Sequence, residues 1–513
     1  MPTGRNVLQL GAMLLALAAV AGCGYFSLRY AGGVARTWDE VDFALALERF
    51  DLLAMQPHFP GYPYFILGGL AVHRWIADPA RALSVWNAVA ALSSAIPMVL
   101  LARRWGGGWM FAALALTAPY LWLMDARPMS EGAGIAALWW FLWSVIRAME
   151  QPRSWARHAA ALLLFSVLMG VRLSFFPFGL ALVPLWADRF RFGGERRKMS
   201  ALLASIALTG VFQLVWVAGL AASEGSPAGF WKLSLAFVQG HFSEWGGSVV
   251  STPMPLAERM VRLFGDNLVW QALLAHSFAA GALLVLILAA TAVARLWLKP
   301  QPAALADDPR GAANRRFARW LAACVLFYAL WALLGQNIEK PRHIAPLVGP
   351  LLFFVYAAVA RTFAALREVP PQARLRFMAI ALHMLLPLLL AVQFVQGAAL
   401  LKRQAVEQPA IFQLHDYLRR LPEPFVLYTW EETRVLGYLH AAYEHDRIYT
   451  YARFLAAVEA QPARRVLLTD HVLQGFADQG VDWREHATKL ATFSADPLFD
   501  PAYAEIELYE WKR

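Results

Sequence analysis

Eleven apolar runs govern what this chain can fold into, because most of them approach or reach the roughly 17 to 25 residues that a helix needs to cross a bilayer. They lie at 8–30, 84–102, 108–124, 129–147, 158–171, 173–187, 200–220, 270–294, 318–335, 344–361 and 377–397. The expected fold class is a polytopic α-helical membrane protein of about 11 transmembrane helices. With 59% hydrophobic and 16% charged residues in 513, a soluble enzyme is excluded. The first run follows Arg5 and has the look of a signal peptide, yet it is long enough to span, so an uncleaved first helix is expected. The fifth and sixth runs crowd against Arg172, so either their boundaries are misplaced or one of them is a broken helix.

The net charge of +10 does not indicate nucleic acid. From Lys402 onward there are 13 Lys+Arg against 17 Asp+Glu, so the tail is about −4 and the remainder about +14. With the N-terminus inside, every inner loop is basic: Arg103/Arg104; Arg147, Arg153 and Arg157; Arg189, Arg191, Arg196, Arg197 and Lys198; Lys299 to Arg319; and Arg361 to Arg376. The outer loops are poorer in Lys and Arg for their length, including the long ones at 31–83 and 221–269. This balance also places "YPYFILGGLAVHRWI", residues 62–76. If it spanned, every later basic loop would be expelled outward, so it is expected to lie on the outer interface or dip into it. Cys23 and Cys324 both fall in apolar runs and offer no disulfide framework or metal cluster.

After residue 397 the pattern changes. Short runs "PFVLYTW", "DRIYTY", "RRVLLTD" and "AEIELYEW" alternate with helical pieces "EETRVLGYLHAAYE" and "ARFLAAVEA", which predicts a small α/β domain over 398–513, outside the membrane. The membrane module is expected over 1–397.

The stretch "WDEVDFALALERFDLLAMQPHFPGYP" carries the chemistry that such a protein least needs for spanning. Phe43, Leu47, Phe50 and Ala54 recur at helical spacing, so an amphipathic helix is expected, with Asp39 in its first turn where a carboxylate can cap free N–H groups. Capping does not account for Glu40 and Asp42, since carboxylates near lipid repel one another unless neutralised. The other outer turns supply neutralising groups: Asp125, Arg127 and Glu131 in "MDARPMSEG", Arg172 in "GVRLSFFP", and Lys340, Arg342 and His343 in "QNIEKPRHIAP". Arginine forks and a mobile lysine suit a lipid phosphate; interfacial snorkelling is the bland account of each alone. In the loop at 221–269, His241 and Glu244 sit among aromatics suited to a sugar or prenyl chain, or to an interfacial belt. His58, His241 and His343 could join a carboxylate around a divalent ion, though no spacing motif requires one.

This ordered layout resembles the polytopic C-type glycosyltransferase superfamily, which includes protein O-mannosyltransferases and lipid A aminoarabinose transferases. The resemblance rests on Asp39-Glu40 opening a helix in the first long loop, on "HFPGYPYF", on "LLARRWGG" at 100–107, on "ARPMSEG", and on Arg342-His343-Ile344-Ala345-Pro346 entering a late span. His343 stands where that family commonly has tyrosine, and Glu131 where aspartate is frequent. The resemblance implies that Asp39 is the catalytic base and Arg342 a binder of the donor's phosphate.

Together these readings give an expected function: inverting transfer of a sugar from a polyprenyl-phosphate donor to an acceptor hydroxyl or amine at the outer face. Glu40 and Asp125 are secondary carboxylates, Lys340, Arg127 and Arg172 follow Arg342 as phosphate binders, and His58, Tyr62, Tyr64, Glu131, His241, Glu244 and His343 are expected to meet sugar or acceptor. The expected partners are the lipid-linked donor, a glycan, lipid or protein acceptor, and membrane lipids, in a monomer or weak oligomer of a bacterial inner membrane. A flippase of lipid-linked saccharide would need polar groups deep within several spans, whereas the conspicuous charges here stand at outer ends. A membrane assembly protein is the other alternative.

Overall fold

The computed structural model describes residues 4–192, 194, 197–252, 254–298, 309–368, 372–421 and 424–512. Arg196 and Lys299 of the expected basic loops lie outside the described residues. Eight helices among them are long and apolar enough to cross a membrane: Leu10–Arg29, Pro79–Trp105, Glu131–Glu150, Lys198–Ser223, Phe278–Trp297, Arg310–Gly335, Ala345–Leu366 and Ala373–Leu418. The protein is a multi-pass membrane protein. The other three expected spans are shorter or interrupted. Residues 108–124 form two short helices, Trp109–Leu116 and Pro119–Asp125, broken at Thr117 and Ala118 ahead of Pro119. Trp155–Val171 is a 17-residue helix. Past Arg172 the chain continues as a 3₁₀ stretch, Leu173–Leu182, with Pro177 inside it, before the helix Val183–Phe192. A break is therefore present at Arg172. Residues 270–273 belong to a π-helical segment, Val261–Leu273, and the next long helix starts only at Phe278.

Aromatic side chains fill the centre of the bundle. Tyr120, Trp122, Trp139, Phe111 and Phe141 are all fully or almost fully buried. Phe111 meets Trp139 edge-on at 5.4 Å, and Trp122 donates its indole N–H to Ser27 Oγ at 2.7 Å, so a buried polar edge is satisfied.

The acidic stretch forms the helix Trp38–Glu48. Its cap is Thr37, whose Oγ1 accepts from the Glu40 N–H at 3.4 Å, so Asp39 is free of that duty. The expected amphipathic helix is corrected. The helix ends before Phe50 and Ala54, and Glu40, Val41, Asp42, Phe43, Ala44, Ala46 and Leu47 are all buried, covering most of its circumference. Pro63–His73, 11 residues long, packs across it and across the next helix. Gly68 is required there by close approach, since a Cβ would stand 2.1 Å from the Trp86 ring.

The C-terminal region carries a five-stranded mixed sheet in the order β2-β1-β3-β5-β4. Its strands are β1 Phe425–Thr429, β2 Glu444–Arg447, β3 Arg465–Thr469, β4 Ala487–Ser494 and β5 Glu505–Trp511. β1 pairs in parallel with β2 and β3, and β5 pairs antiparallel with β3 and β4. Four strands were expected; β4 is the addition. Ile411, Leu414, Leu427, Leu436 and Leu508 of this region share one apolar cluster with Ala35, Val41 and Ala80.

Arg434 links the sheet region to the acidic helix. Its Nε and Nη2 each lie 2.8 Å from Asp42 Oδ1, and Nη2 also donates to the carbonyls of Ala54 and Met55 at 3.1 and 2.9 Å. Asp42 is fully buried, so removing its arginine leaves only His58 beside the carboxylate. Replacing Arg434 with Met is expected to destabilise the protein by roughly 3 kcal/mol, read by thermal unfolding in detergent. Combined with Asp42→Asn, the loss should be smaller than the sum of the two single losses.

Candidate active site

The N-terminal part of the helix Trp38–Glu48 presents three carboxylates, Asp39, Glu40 and Asp42, and each meets a different arginine. Asp39 accepts a hydrogen bond from Arg342 Nη2. Glu40 Oε1 accepts from Arg127 Nε at 2.7 Å and Oε2 from the Arg36 N–H at 2.7 Å. Asp42 takes Arg434 on one oxygen and stands 3.2 Å from His58 Nδ1 on the other, while His58 Nε2 lies 3.1 Å from the Tyr62 hydroxyl.

Arg127 and Glu131 are carried by the turn between Pro119–Asp125 and Glu131–Glu150, which one buried amide holds. Asn87 Nδ2 donates to the Met124 carbonyl at 2.9 Å and the Arg127 carbonyl at 3.3 Å, and its Oδ1 accepts from the Ala133 N–H at 2.7 Å. A Cβ on Gly132 would stand 2.5 Å from Asp125 Oδ1, so only glycine fits beside this tether. Arg172 Nη2 stands 2.8 Å from Glu131 Oε1, and its Nη1 donates to Ser130 Oγ at 2.7 Å. Arg342 Nε lies 3.4 Å from the same Glu131 oxygen, so the guanidinium bridges Asp39 and Glu131. The loop bearing Arg342 is itself pinned: His343 Nδ1 is 3.0 Å from the Asn337 carbonyl, and the His343 carbonyl accepts from the Tyr328 hydroxyl at 2.8 Å. Burial and the nearby cations Arg342, Arg172 and Lys340 push His343 well below the ordinary histidine range, so its ring is neutral.

Of these groups, Asp39, Arg127 and Arg342 line a cavity between the end of the bundle and the sheet region, about 450 Å³ with its open mouth included. Thr37, Trp38, Asp39, Tyr120, Met124 and Arg127 line it from one side, with Lys340, Pro341 and Arg342. Glu431, Asp500 and Tyr503 line it from the sheet region. Burial would raise the Asp39 carboxyl, but Arg342, Lys340 and His58 outweigh it and hold the group well below the usual carboxylate range. A carboxylate and an arginine on one enclosed surface can accept a proton and hold an anion side by side.

No family model matches the chain, and no curated protein matches it by sequence. Among solved structures it is similar to ArnT from Cupriavidus metallidurans bound to undecaprenyl phosphate, with 14% identity over 98% of both chains and a TM-score of 0.52. The same protein in its apo state matches at 13% identity, 98% of both chains and a TM-score of 0.50. The chain has the C-type glycosyltransferase fold. Within this fold the cavity lies where the helix bundle meets the C-terminal sheet.

Of the residues nominated from sequence, Asp39, Arg127, Lys340 and Arg342 line the cavity. Glu131 stands one ion pair behind Arg342 and Arg172 one further, and Glu40 backs Arg127. Tyr62 and His58 connect to Asp42. The others are placed elsewhere. Asp125 lines a separate apolar cavity of about 290 Å³ inside the bundle, with Ser94, Met98 and Trp139. The Tyr64 ring packs over Gly170. His241 stands 2.7 Å from the Gly335 carbonyl, and Glu244 is exposed. His58, His241 and His343 do not converge, and among the described residues no group of three or more His, Cys, Asp or Glu is arranged to hold a metal ion.

Sequence reasoning missed Thr37, Trp38 and Tyr120, and the whole wall contributed by the sheet region. "FDPAYAE" at 499–505, where proline and tyrosine interrupt an acidic loop, was the available signal. That wall is braced by His471, whose Nδ1 lies 2.7 Å from Glu432 Oε1 and whose ring meets Tyr503 at 4.9 Å. Burial opposes the imidazolium, but the hydrogen bond and charge of Glu432, with Asp470, push His471 up to about 9. A raised value means that this contribution to stability is complete below about pH 6.5 and is lost as pH rises through about 9. The thermal midpoint of the wild type should therefore fall between pH 6.5 and about 9 more steeply than that of His471→Gln, measured by unfolding scans across that range.

Proposed function

We propose that this protein is a glycosyltransferase that moves a sugar from a polyprenyl-phosphate donor to an acceptor hydroxyl or amine, with inversion at the anomeric carbon. The observation that carries the reading is the meeting of Asp39 and Arg342 on one cavity. Arg342, with Lys340 beside it, binds the donor's phosphate, and Asp39 accepts the proton of the acceptor. The acceptor oxygen or nitrogen attacks the anomeric carbon, and the carbon–oxygen bond to phosphate breaks. The electron pair leaves on the phosphate oxygen, where the guanidinium and ammonium groups stabilise it. A lipid phosphate leaves without protonation, so one base suffices where a glycosidase needs two carboxyl groups.

The ion pair also sets the order of events. With no phosphate present, Arg342 holds Asp39 as a weak base. An incoming phosphate competes for the same guanidinium and returns Asp39 towards ordinary carboxylate basicity, when an acceptor needs it. The fold likeness to ArnT, whose solved structure contains undecaprenyl phosphate, supports this assignment of donor class. The basic ends of the helices, at Arg104, Arg147 and Arg316, lie away from the cavity, which supports an orientation with the N-terminus cytoplasmic and the cavity and sheet outside, in a bacterial inner membrane.

Asp39→Asn is expected to lower the transfer rate by about 10² to 10⁴-fold while undecaprenyl phosphate still binds. Arg342→Met is expected to weaken undecaprenyl phosphate binding by at least about tenfold, the loss of one charge-assisted contact. Transfer of radiolabelled sugar by purified protein and direct lipid binding measure the two effects. A fully active Asp39→Asn protein would overturn the reading.

A further inference from the structure

Across the cavity from Arg342, the sheet region supplies polar groups for which the transfer step above has no use. Glu431 Oε2 accepts a hydrogen bond from the Tyr503 hydroxyl at 2.5 Å. His471, beside Tyr503, pairs with Glu432 and Asp470 instead of Glu431. No ion pair joins Glu431 to a cation among the described residues. Its neighbours are fixed on both sides. Glu432 Oε2 accepts from the Trp430 N–H at 2.9 Å, and the Trp430 ring lies 4.6 Å from the Arg447 guanidinium. Arg447 also stands 4.7 Å from the Trp38 ring, which fixes the facing wall. Trp38 lines the same cavity, and its indole N–H is buried with no acceptor among the described residues.

One cavity thus carries an indole donor without an acceptor and a carboxylate that keeps an oxygen beyond its bond to Tyr503. A bound group satisfies both only if it donates and accepts. A sugar hydroxyl does so; an ammonium group donates only and leaves the indole unmet. We propose that Trp38, Glu431 and Tyr503 form the subsite that reads the hydroxyl groups of the donor's sugar, and that hydroxyl contacts, not a charged group on the sugar, make the recognition. The proposal rests on Arg342 binding the donor's phosphate, because the sugar is bonded to that phosphate and must lie in the same cavity.

The test compares purified wild type, Glu431→Ala, Glu431→Gln and Trp38→Phe. The probes are sugar-free undecaprenyl phosphate and undecaprenyl phosphate linked to a panel of neutral hexoses and pentoses or to amino sugars. Glu431→Ala should weaken binding of at least one neutral-sugar donor by about tenfold and leave the sugar-free lipid within about twofold. Glu431→Gln keeps the acceptor oxygen and should lose less than about threefold, and Trp38→Phe should lose about fivefold, again only with sugar attached. Both also serve if Glu431→Ala does not fold.

Three results overturn the subsite: wild type holds neutral-sugar lipids no more tightly than the sugar-free lipid; the folded variants lose affinity for the sugar-free lipid equally; or an amino-sugar donor binds best and Glu431→Gln abolishes that preference, which marks a cation reader. The two readings fail separately. If Arg342→Met leaves undecaprenyl phosphate binding intact, the assignment of the phosphate site fails. If that binding depends on Arg342 while no Glu431 or Trp38 variant affects any sugar-bearing donor, only the subsite fails.

Discussion

Charge burial on the helix Trp38–Glu48 organises this molecule. A carboxylate removed from water is tolerated only when a cation and hydrogen bonds replace the lost hydration. Three carboxylates within four residues make that demand, and it is met by Arg342, Arg127 and Arg434, which lie 303, 87 and 392 residues away in sequence. Each pairing fixes a different part of the chain against the same short helix: the entry to a late span, an interhelical turn, and the C-terminal sheet. The cavity exists because these three parts meet around one turn of helix without filling it.

The two groups assigned to chemistry are also each other's partners. Pairing Asp39 with Arg342 keeps a carboxylate and a guanidinium charged and in place, so on the proposed reading little reorganisation remains when phosphate enters. Glu131 and Arg172 continue the alternation of charges behind Arg342, which limits where that guanidinium can turn. Asn87 has a comparable part without bearing charge, since three hydrogen bonds from one amide set the height of Arg127 above the bundle.

Much of this was legible from residue order. Long apolar runs announced the bundle, crowding at Arg172 left a broken helix as one of two readings, and Asp39 and Arg342 stood out as charges at the ends of apolar segments. The partners of those charges were not legible, because pairing across hundreds of residues leaves no local periodicity. Asp125 illustrates the limit: it belongs to the same turn as Arg127, yet it ends a seven-residue helix and faces a different cavity. The expected amphipathic helix failed for a related reason. Its polar residues were placed on faces apart from the apolar ones, whereas nearly the whole circumference is buried against arginines and apolar neighbours, and buried salt bridges look like surface in a hydropathy pattern. Strand β4 was missed because it pairs only with β5 and is largely exposed, so "ATKLATFS" lacks the alternation of a half-buried strand.

The apolar cluster that joins Val41 and Ala80 to Leu414, Leu427 and Leu436 bears on how molecules reach the cavity. A sheet region attached through ion pairs alone could swing away as a lid. Here its own core is continuous with residues of and beside the helix Trp38–Glu48, so lifting it would open a hydrophobic interior to water. The sheet therefore stays seated as a fixed wall of the cavity.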